Sequence, residues 1–273
     1  MVSVIVTTKN ESSHIASCLQ SIKNQLYQDI EVIVVDNGSN DKTKVIAKTF
    51  GARVFDKGPE RSAQRNFGAQ NAKGGYLLFL DADMELMPSV VQECLEEIQK
   101  PRDEGKKLIG LVIPEKSIGI GYWAHCKALE RSFYEGVEWM EAARFYKKEA
   151  FVSIGGYDVH LTGPEDFELP QRLKMRYGTN KIGRISSYIL HNEGKISLRK
   201  LLQKKYYYGR KMGHYRSMQT SQGYFDKQAN LFLRYGIFLK RPLRLLRDPV
   251  HAIGMFVMKT LEIGALAYGG LRG

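Results

Sequence analysis

Short apolar runs alternate with amphipathic segments over residues 1–113. The apolar runs predict strands at residues 2–7, 30–36, 53–55 and 108–113, with a further strand that ends at Asp81. Between the strands, apolar residues recur every three or four positions and predict helices: one carrying Ile15, Leu19, Ile22 and Leu26 on one face, one after an Asp41 N-cap, one at about 61–72, and one from Pro88 to before Pro101. This alternation predicts an α/β fold with a mainly parallel sheet covered by helices on both faces.

The pattern changes after residue 113. Residues 119–135 predict an amphipathic helix, residues 142–146 a strand and residues 167–177 another helix. Beyond residue 196 the chain is helical in pattern, basic and rich in aromatic residues. The sequence therefore predicts an α/β region followed by a basic helical extension.

Polar residues collect where the predicted strands end. Thr7, Thr8 and Asn10 follow the first strand, Asp36 ends the second, and Asp81 and Asp83 end the strand before the Pro88 helix. In a parallel sheet ligands bind beyond the carboxyl ends of the strands. We therefore expect these residues, which are far apart in sequence, to converge at one edge of the sheet.

Asp81 and Asp83 form the most informative pair, because a buried strand stops on two acids separated by one small residue. We expect both side chains to lie on the same side of an extended segment, since side chains alternate along a strand. Two carboxylates so placed suit Mg²⁺ or Mn²⁺, which take oxygen ligands and share them with substrate phosphates. The alternative is a pair of acids that cap the next helix.

The helix before this strand carries Arg61, Arg65 and Asn66, which are donors suited to a diphosphate or are ordinary solvated helix residues. Asp36 is placed to accept hydrogen bonds from a ribose or a base, although Asp is also common in turns.

Further along the chain, Glu165 and Asp166 follow Gly163 and Pro164, where acids favour a helix N-terminus or serve as a general base. His191 follows a strand-like segment and is either a metal ligand or a structural histidine.

The net charge of +12 is unevenly distributed. Residues 1–170 hold 20 Lys and Arg against 25 Asp and Glu, whereas residues 171–273 hold 21 against 4. The basic part favours contact with an anionic membrane over a plain solvated face. It lacks the zinc-ligand spacing and aromatic motif of common nucleic-acid modules, so we expect no nucleic acid partner. Three scattered cysteines indicate a reducing compartment and a cytoplasmic protein.

The segment from Pro249 to Tyr268 is apolar but contains Lys259 and Glu262, which share one helical face. Its longest charge-free stretch is ten residues, short of the roughly 20 that cross a bilayer. Upstream, bases alternate with leucines over residues 240–247. This combination favours an anchor at the membrane interface, with a helix packed on the rest of the protein or on another subunit as the alternative.

Several motifs occur together in one order: VIVTTKNE at residues 4–11, VVDNGSND at 34–41, RNFGA at 65–69, FLDAD at 79–83, and Gly155-Gly156-Tyr157 followed by Glu165-Asp166. In this order they resemble family 2 glycosyltransferases of the GT-A fold, over roughly residues 1–195. The resemblance implies a nucleotide-sugar donor, UDP- or GDP-linked, and a divalent cation, Mn²⁺ or Mg²⁺. It implies a catalytic domain at 1–195, with a nucleotide-binding half at 1–113 and an acceptor half at 114–195, before a basic helical region at 196–273.

The site residues follow from the resemblance and from their positions. We predict substrate binding by Thr8, Asn10, Glu11, Asp36, Arg61, Arg65, Asn66, Asp81, Ala82 and Glu165, base catalysis by Asp166, and metal ligation by Asp83 and His191. His191 matches a ligand found in only some family members.

A single displacement assisted by Asp166 would invert the configuration of the sugar. Because a phosphate needs no base, Asp166 favours a hydroxyl acceptor, such as one on a lipid-linked or cell-envelope glycan at the cytoplasmic face of a membrane. The alternatives are transfer to a polyprenyl phosphate, a nucleotidyltransferase, and a non-catalytic sugar-nucleotide or membrane-binding module. A nucleotidyltransferase is disfavoured because residues 7–10 lack a glycine, and a dinucleotide-binding dehydrogenase because they lack G-x-G-x-x-G.

Overall fold

The computed structural model describes residues 1–218, 226–228 and 230–272. The chain forms two compact units. The first unit comprises residues 1–114, 142–159 and 165–190, and the second comprises residues 115–141, 160–164 and 191–273. The domain boundaries predicted from the sequence remain predictions.

The first unit alternates strands and helices. Its elements are β1 (Val2–Thr8), α1 (Ile15–Lys23), β2 (Ile30–Asp36), α2 (Thr43–Thr49), β3 (Arg53–Asp56), α3 (Arg61–Asn71), β4 (Tyr76–Asp81), β5 (Met84–Leu86), α4 (Val90–Gln99), β6 (Gly110–Val112), β8 (Ala143–Lys147), α6 (Lys148–Ser153), α7 (Glu165–Tyr177) and β9 (Ile182–Arg184), with short 3₁₀ turns at Glu104–Lys106 and Thr179–Lys181.

The second unit contains β7 (Glu115–Ile120) and is otherwise mostly helical. Its further elements are α5 (Tyr122–Ser132), most of β10 (Ile189–Lys195), α8 (Leu198–Ser217), α9 (Leu231–Leu239), α10 (Pro242–Arg247) and α11 (Pro249–Gly270).

The first unit is built on a seven-stranded sheet in the order β3-β2-β1-β4-β8-β6-β9. The pairs among β3, β2, β1 and β4 are parallel, as is β6 with β9, and only β8 runs antiparallel to its neighbours. All seven residues of β1 are buried, because helices cover both faces of the sheet. The predicted mainly parallel sheet flanked by helices is confirmed.

The order in which the chain adds strands to the sheet changes direction at β1. From β1 the chain builds outward to β2 and β3, and it then returns to place β4 on the other side of β1. A crevice opens at the carboxyl ends of strands at such a point. The register places Thr8 beside Asp36 and Thr7 beside Asp81. The predicted convergence of the strand-end residues is confirmed for these positions.

The second unit has its own core, in which Phe133, Phe238, Met255 and Met258 are fully buried. Among the described residues one helix, α11, is long and apolar enough to cross a membrane by length and composition, and a third of its most apolar window is buried within the protein.

Some local predictions were wrong. Residues 119–120 end β7 rather than begin a helix, since α5 begins at Tyr122. Helix α4 begins at Val90 rather than at Pro88. Leu26 lies beyond the end of α1 and is 62% exposed, so it does not share the buried face of that helix.

Two further local differences concern candidate polar residues. The N-cap of α2 is Lys42 rather than the predicted Asp41. Asp41 nevertheless accepts a hydrogen bond from the Thr43 backbone N–H at 3.0 Å. Residues Ala82 and Asp83 form a turn between β4 and β5, so the expected extended segment through Asp83 is wrong. The side chains of Asp81 and Asp83 are therefore not related by the two-residue period of a strand.

Candidate active site

The predicted nucleoside-binding residue Asp36 lies at the start of a hydrogen-bonded loop after β2. Asp36 is fully buried, and its two carboxylate oxygens accept from the Ser39 backbone N–H at 2.6 Å and the Ser39 hydroxyl at 2.5 Å. Asn10 adopts a left-handed conformation, with φ of 55°, and joins β1 to this loop. Its backbone N–H donates to Ser39 Oγ at 2.7 Å, and its Oδ1 accepts from the Asn40 N–H at 2.9 Å. The loop is thus held in place before any ligand binds.

Thr8 lies beside Asp36 in the register of the two strands. Its buried Oγ1 has no hydrogen-bond partner in the part of the chain that the structure describes. A buried hydroxyl without a partner is unfavourable for the free protein, which is typical of a group that serves a ligand.

Glu11 lies next to this loop. Its backbone N–H donates to Thr43 Oγ1 at 2.8 Å, and its carboxylate lies 2.8 Å from His14 Nδ1. Burial raises the pKa of Glu11 above its usual value, and the negative charge of Asp83 raises it further, against the opposing effect of His14. Glu11 therefore lies close enough to Asp83 for the charge of Asp83 to disfavour ionisation of Glu11.

Arg65 is the centre of the site. Its side chain is fully buried and comes from α3, whose helical spacing also places Arg61 one turn away. Its Nη1 donates to Asp166 Oδ1 at 2.5 Å and its Nη2 to Asp81 Oδ1 at 3.2 Å. The guanidinium also lies 5.2 Å from the ring centre of Tyr157. One arginine therefore joins the predicted donor-binding acid to the predicted base, 85 residues apart in sequence.

Asp81 is held in its charged form. Burial alone would raise the pKa of Asp81, but the charges of Arg65, Arg61 and Arg144 and a hydrogen bond from Thr7 at 2.8 Å hold it well below its usual range. Arg61 contributes a contact to Asp81 Oδ2 at 3.3 Å. The surrounding arginines therefore favour the charged form of Asp81.

Glu165 lies in the first turn of α7, where the helix dipole favours an acid. Its side chain is 2% exposed, and its Oε1 lies 3.7 Å from Arg61 Nε and 3.8 Å from Arg65 Nη1. Burial, and then the charge of Asp166, raise the pKa of Glu165 against the opposing effect of the two arginines. Glu165 is thus more deeply buried than the neighbouring Asp166, whose side chain is 14% exposed.

The donor set at the strand end suits a hard divalent cation. Asp81 ends β4, and Asp83 follows in the turn, which is fixed because the Ala82 backbone N–H donates to the Thr7 carbonyl at 3.2 Å. The described residues contain no group of three or more His, Cys, Asp or Glu arranged to hold a metal ion. Two carboxylates fit Mg²⁺ or Mn²⁺, which leave the other ligand positions to phosphate oxygens and water.

His191 belongs to the second unit, within β10. Its Nδ1 lies 3.5 Å from Glu115 Oε2 of the same unit. Its assignment as a metal ligand stays a prediction.

Asn66 has a positioning role in the structure. Its side-chain amide donates to the Tyr157 carbonyl at 2.7 Å, and its Oδ1 accepts from the Tyr157 N–H at 2.9 Å. Gly156 has φ of 70° and packs against this amide, which leaves no space for a Cβ. The amide that was predicted to bind substrate therefore secures the loop that carries the Gly155-Gly156-Tyr157 motif.

Two residues of the site were missed from the sequence. Arg144, which is 4% exposed, contributes to the low pKa of Asp81, and its signal was an arginine inside the apolar strand β8. Gln64 donates to the carbonyls of Thr8 at 3.1 Å and Val35 at 2.7 Å and so ties the ends of β1 and β2 together. Nothing in the helical pattern of α3 distinguished Gln64 from a solvated residue.

The sequence matches the family described as Glycosyl transferase family 2 over residues 3–189. The chain is similar to glycosyltransferase AglE of Haloferax volcanii, with 40% identity over 91 residues that cover 30% of each protein. It is also similar to an uncharacterized glycosyltransferase of Haemophilus influenzae, with 27% identity over 185 residues that cover 63% of this chain and 62% of that protein. The chain thus matches less than two thirds of the length of these relatives.

Solved structures share the fold. Mannosyltransferase PcManGT from Pyrobaculum calidifontis, in complex with GDP-Man and Mn²⁺, has a TM-score of 0.62 at 14% identity over 99% of this chain and 86% of that chain. S. aureus TarS 1–349 in complex with UDP-GlcNAc has a TM-score of 0.56 at 16% identity over 99% and 90%. Glucosyl-3-phosphoglycerate synthase from Mycobacterium tuberculosis, in complex with Mn²⁺, UDP and glucosyl-3-phosphoglycerate, has a TM-score of 0.52 at 21% identity over 78% of each chain. The predicted GT-A fold is confirmed.

Proposed function

The chain belongs to glycosyltransferase family 2, and we propose that it is an inverting, metal-dependent enzyme that moves a sugar from a nucleoside diphosphate to a hydroxyl acceptor. The observation that carries the proposal is the buried Arg65, which contacts both Asp81 and Asp166. The guanidinium of Arg65 thereby connects Asp81, which is proposed to face the donor diphosphate, with Asp166, which is proposed to face the acceptor.

The donor side is formed by the ends of three parallel strands. Thr8 and Asp36 would bind the nucleoside, with Asn10 and Glu11 completing the loop around it. Asp81 and Asp83 would hold Mn²⁺ or Mg²⁺ against the diphosphate oxygens, beside the backbone of Ala82. Bound there, a divalent cation neutralises charge on the leaving nucleoside diphosphate. Arg61, which is 36% exposed, is accessible to donate to the same phosphates.

The acceptor side is formed by the start of α7. Asp166 would accept the proton of the acceptor hydroxyl. The hydroxyl oxygen then forms a bond to the anomeric carbon while the bond between that carbon and the diphosphate breaks. This single displacement inverts the anomeric configuration. Arg65 orients Asp166 through its hydrogen bond, and Glu165 would contact the sugar or the acceptor.

A base is needed only for some acceptors. A hydroxyl must lose its proton as it attacks, whereas a polyprenyl phosphate is already ionised. The proposal therefore favours a hydroxyl, carried by a lipid-linked or cell-envelope glycan at the cytoplasmic face of an anionic membrane. The excess of bases beyond residue 170 supports contact with such a membrane.

The fold relatives support a nucleotide-sugar donor. PcManGT is in complex with GDP-Man and Mn²⁺, and TarS with UDP-GlcNAc. Both nucleotides therefore belong in the donor panel.

The proposal is tested by incubating the protein with UDP- and GDP-sugars, Mn²⁺ and hydroxyl-bearing glycan acceptors, and measuring nucleoside diphosphate release. We expect at least one donor to be consumed and EDTA to stop its consumption. Proton NMR of the first product should show the anomeric configuration opposite to that of the donor. Donor binding without any consumption would favour a non-catalytic module, and a product with retained configuration would contradict the single displacement.

A further inference from the structure

Helix α11 has an apolar outer side. Its exposed large side chains recur at helical spacing on one face and are 41–67% exposed: Val250, Ile253, Val257, Leu261 and Tyr268. We call these five residues the outer face. The remaining exposed positions of α11, all of which the structure describes, carry no Lys, Arg, Asp or Glu. A helix on a water-exposed surface normally shows the opposite pattern.

The charges of α11 point inward instead. Lys259 and Glu262 are 3% and 2% exposed and face Lys127 and Glu130 of α5. Lys259 Nζ donates to Glu130 at 2.5 Å and to Glu262 at 3.0 Å, and Lys127 Nζ donates to Glu130 at 2.8 Å and to Glu262 at 3.0 Å. These four residues, called here the buried quartet, fix which side of α11 faces α5 within the second unit.

Both ends of α11 are also secured within the second unit. At the N-terminal end the Tyr122 hydroxyl donates to the Val250 carbonyl at 3.0 Å. At the C-terminal end Gly209 of α8 packs so closely on the Leu266 backbone, and Gly269 on the Tyr206 backbone, that neither site has room for a Cβ. Helix α8, which packs on α11, carries seven Lys and Arg. If α11 crossed a bilayer, α8 would bring many of these charges into the hydrocarbon layer, at a high cost in free energy.

Exposed basic residues and exposed leucines occur together in the segment just before α11. Lys240, Arg241 and Arg247 are exposed, and between them Leu243 and Leu246 of α10 are 68% and 72% exposed. Leucine side chains suit the acyl boundary of a bilayer, and the bases suit the phosphates of anionic lipids. Charge complementarity therefore favours an anionic lipid surface as the partner of this region.

We propose that the outer face of α11, with Leu243 and Leu246, lies in the interfacial layer of an anionic bilayer and holds α11 parallel to the membrane plane. This specifies the membrane contact that forms part of the proposed function. It does not depend on the chemistry of the site in the first unit.

The test is cosedimentation of the full chain with phosphatidylcholine vesicles that do or do not contain phosphatidylglycerol. We expect binding to the anionic vesicles, and a loss of at least about tenfold in the paired variant Ile253→Ser/Val257→Ser. Lys240→Glu/Arg247→Glu should weaken binding by a similar factor. The matched controls are Val45→Ser, at a 63% exposed position of α2, and Lys48→Glu/Lys73→Glu, at exposed bases of the first unit; both should bind like the wild type.

Two further measurements keep the outcomes separate. Donor consumption on a water-soluble acceptor should be unchanged in the outer-face variants, so a failure of membrane binding is distinguishable from a failure of catalysis. Alkaline carbonate should release the wild type from membranes, and resistance to carbonate would overturn the parallel orientation. The proposal would also be overturned if Ile253→Ser/Val257→Ser bound vesicles as well as the wild type. It would likewise be overturned if the wild type formed a stable dimer and bound no vesicles, while this variant was monomeric.

Discussion

Replacing Asp166 by Asn is expected to lower kcat by about 10²–10⁴-fold while the affinity for the donor stays near that of the wild type. The amide retains the size of the side chain and still accepts a hydrogen bond from Arg65, which lies 2.5 Å from Asp166 Oδ1. It cannot accept the proton of an acceptor hydroxyl. The comparison requires steady-state kinetics with a saturating donor and calorimetric binding of the nucleoside diphosphate.

The control for this substitution is Asp103→Asn, at an acid that is 79% exposed and pairs with the neighbouring Lys106 at 2.7 Å. Turnover by Asp166→Asn within a few fold of the wild type would contradict the base assignment and favour a phosphate acceptor. An equal loss of donor affinity and of kcat would instead give Asp166 a role in binding.

The second large effect is expected from Glu130→Gln, which should lower the stability of the second unit by about 3–5 kcal/mol. Burial tends to raise the pKa of Glu130, but Lys127 and Lys259 hold it well below its usual range, so the side chain is charged in the folded protein. The amide leaves two buried lysines to share Glu262. Breaking one partner of a buried ionic network is costly because the remaining charges lose their compensation.

Urea unfolding measures this effect directly, since Trp123 and Trp139 both lie in the second unit and report on it alone. The double variant Glu130→Gln/Lys259→Met should cost less than the sum of the single variants, because the two residues are in direct contact. Asp56→Asn, which breaks the exposed pair with Lys44, should change stability far less. If the double variant instead loses as much free energy of unfolding as the two single variants together, the residues of the buried quartet do not stabilise one another.

The carboxyl edge of the sheet was predictable because it depends on short-range pattern. Apolar runs end at Thr8, Asp36 and Asp81, and the parallel topology that the alternation implies brings these ends together. The orientation of Asp83 was not predictable in this way, because the strand period stops at the Ala82 turn. A turn of two residues leaves little signal when neither of them is Gly or Pro.

The role of Arg65 depends on partners that are distant in sequence. Its spacing from Arg61 indicated a shared helical face, but only the tertiary fold brings Asp81 at the end of β4 and Asp166 in the first turn of α7 to the guanidinium of Arg65. Arg144 was missed for the same reason, since one arginine in a strand carries no indication of what it faces. In α11 the shared face of Lys259 and Glu262 was correctly predicted, but their burial required the two opposite charges of α5.

In the proposed function the strand-end acids bind a nucleoside diphosphate together with a divalent cation. Isothermal titration of UDP and GDP into the wild type and into Asp83→Asn, each with Mn²⁺ or with EDTA, tests it most directly. We expect one of the two nucleotides to bind the wild type at least about tenfold more tightly with Mn²⁺ than with EDTA, and Asp83→Asn to lose that advantage. Equal affinity with Mn²⁺ and EDTA, or no binding of either nucleotide, would show that these acids do not form a metal-dependent nucleotide site.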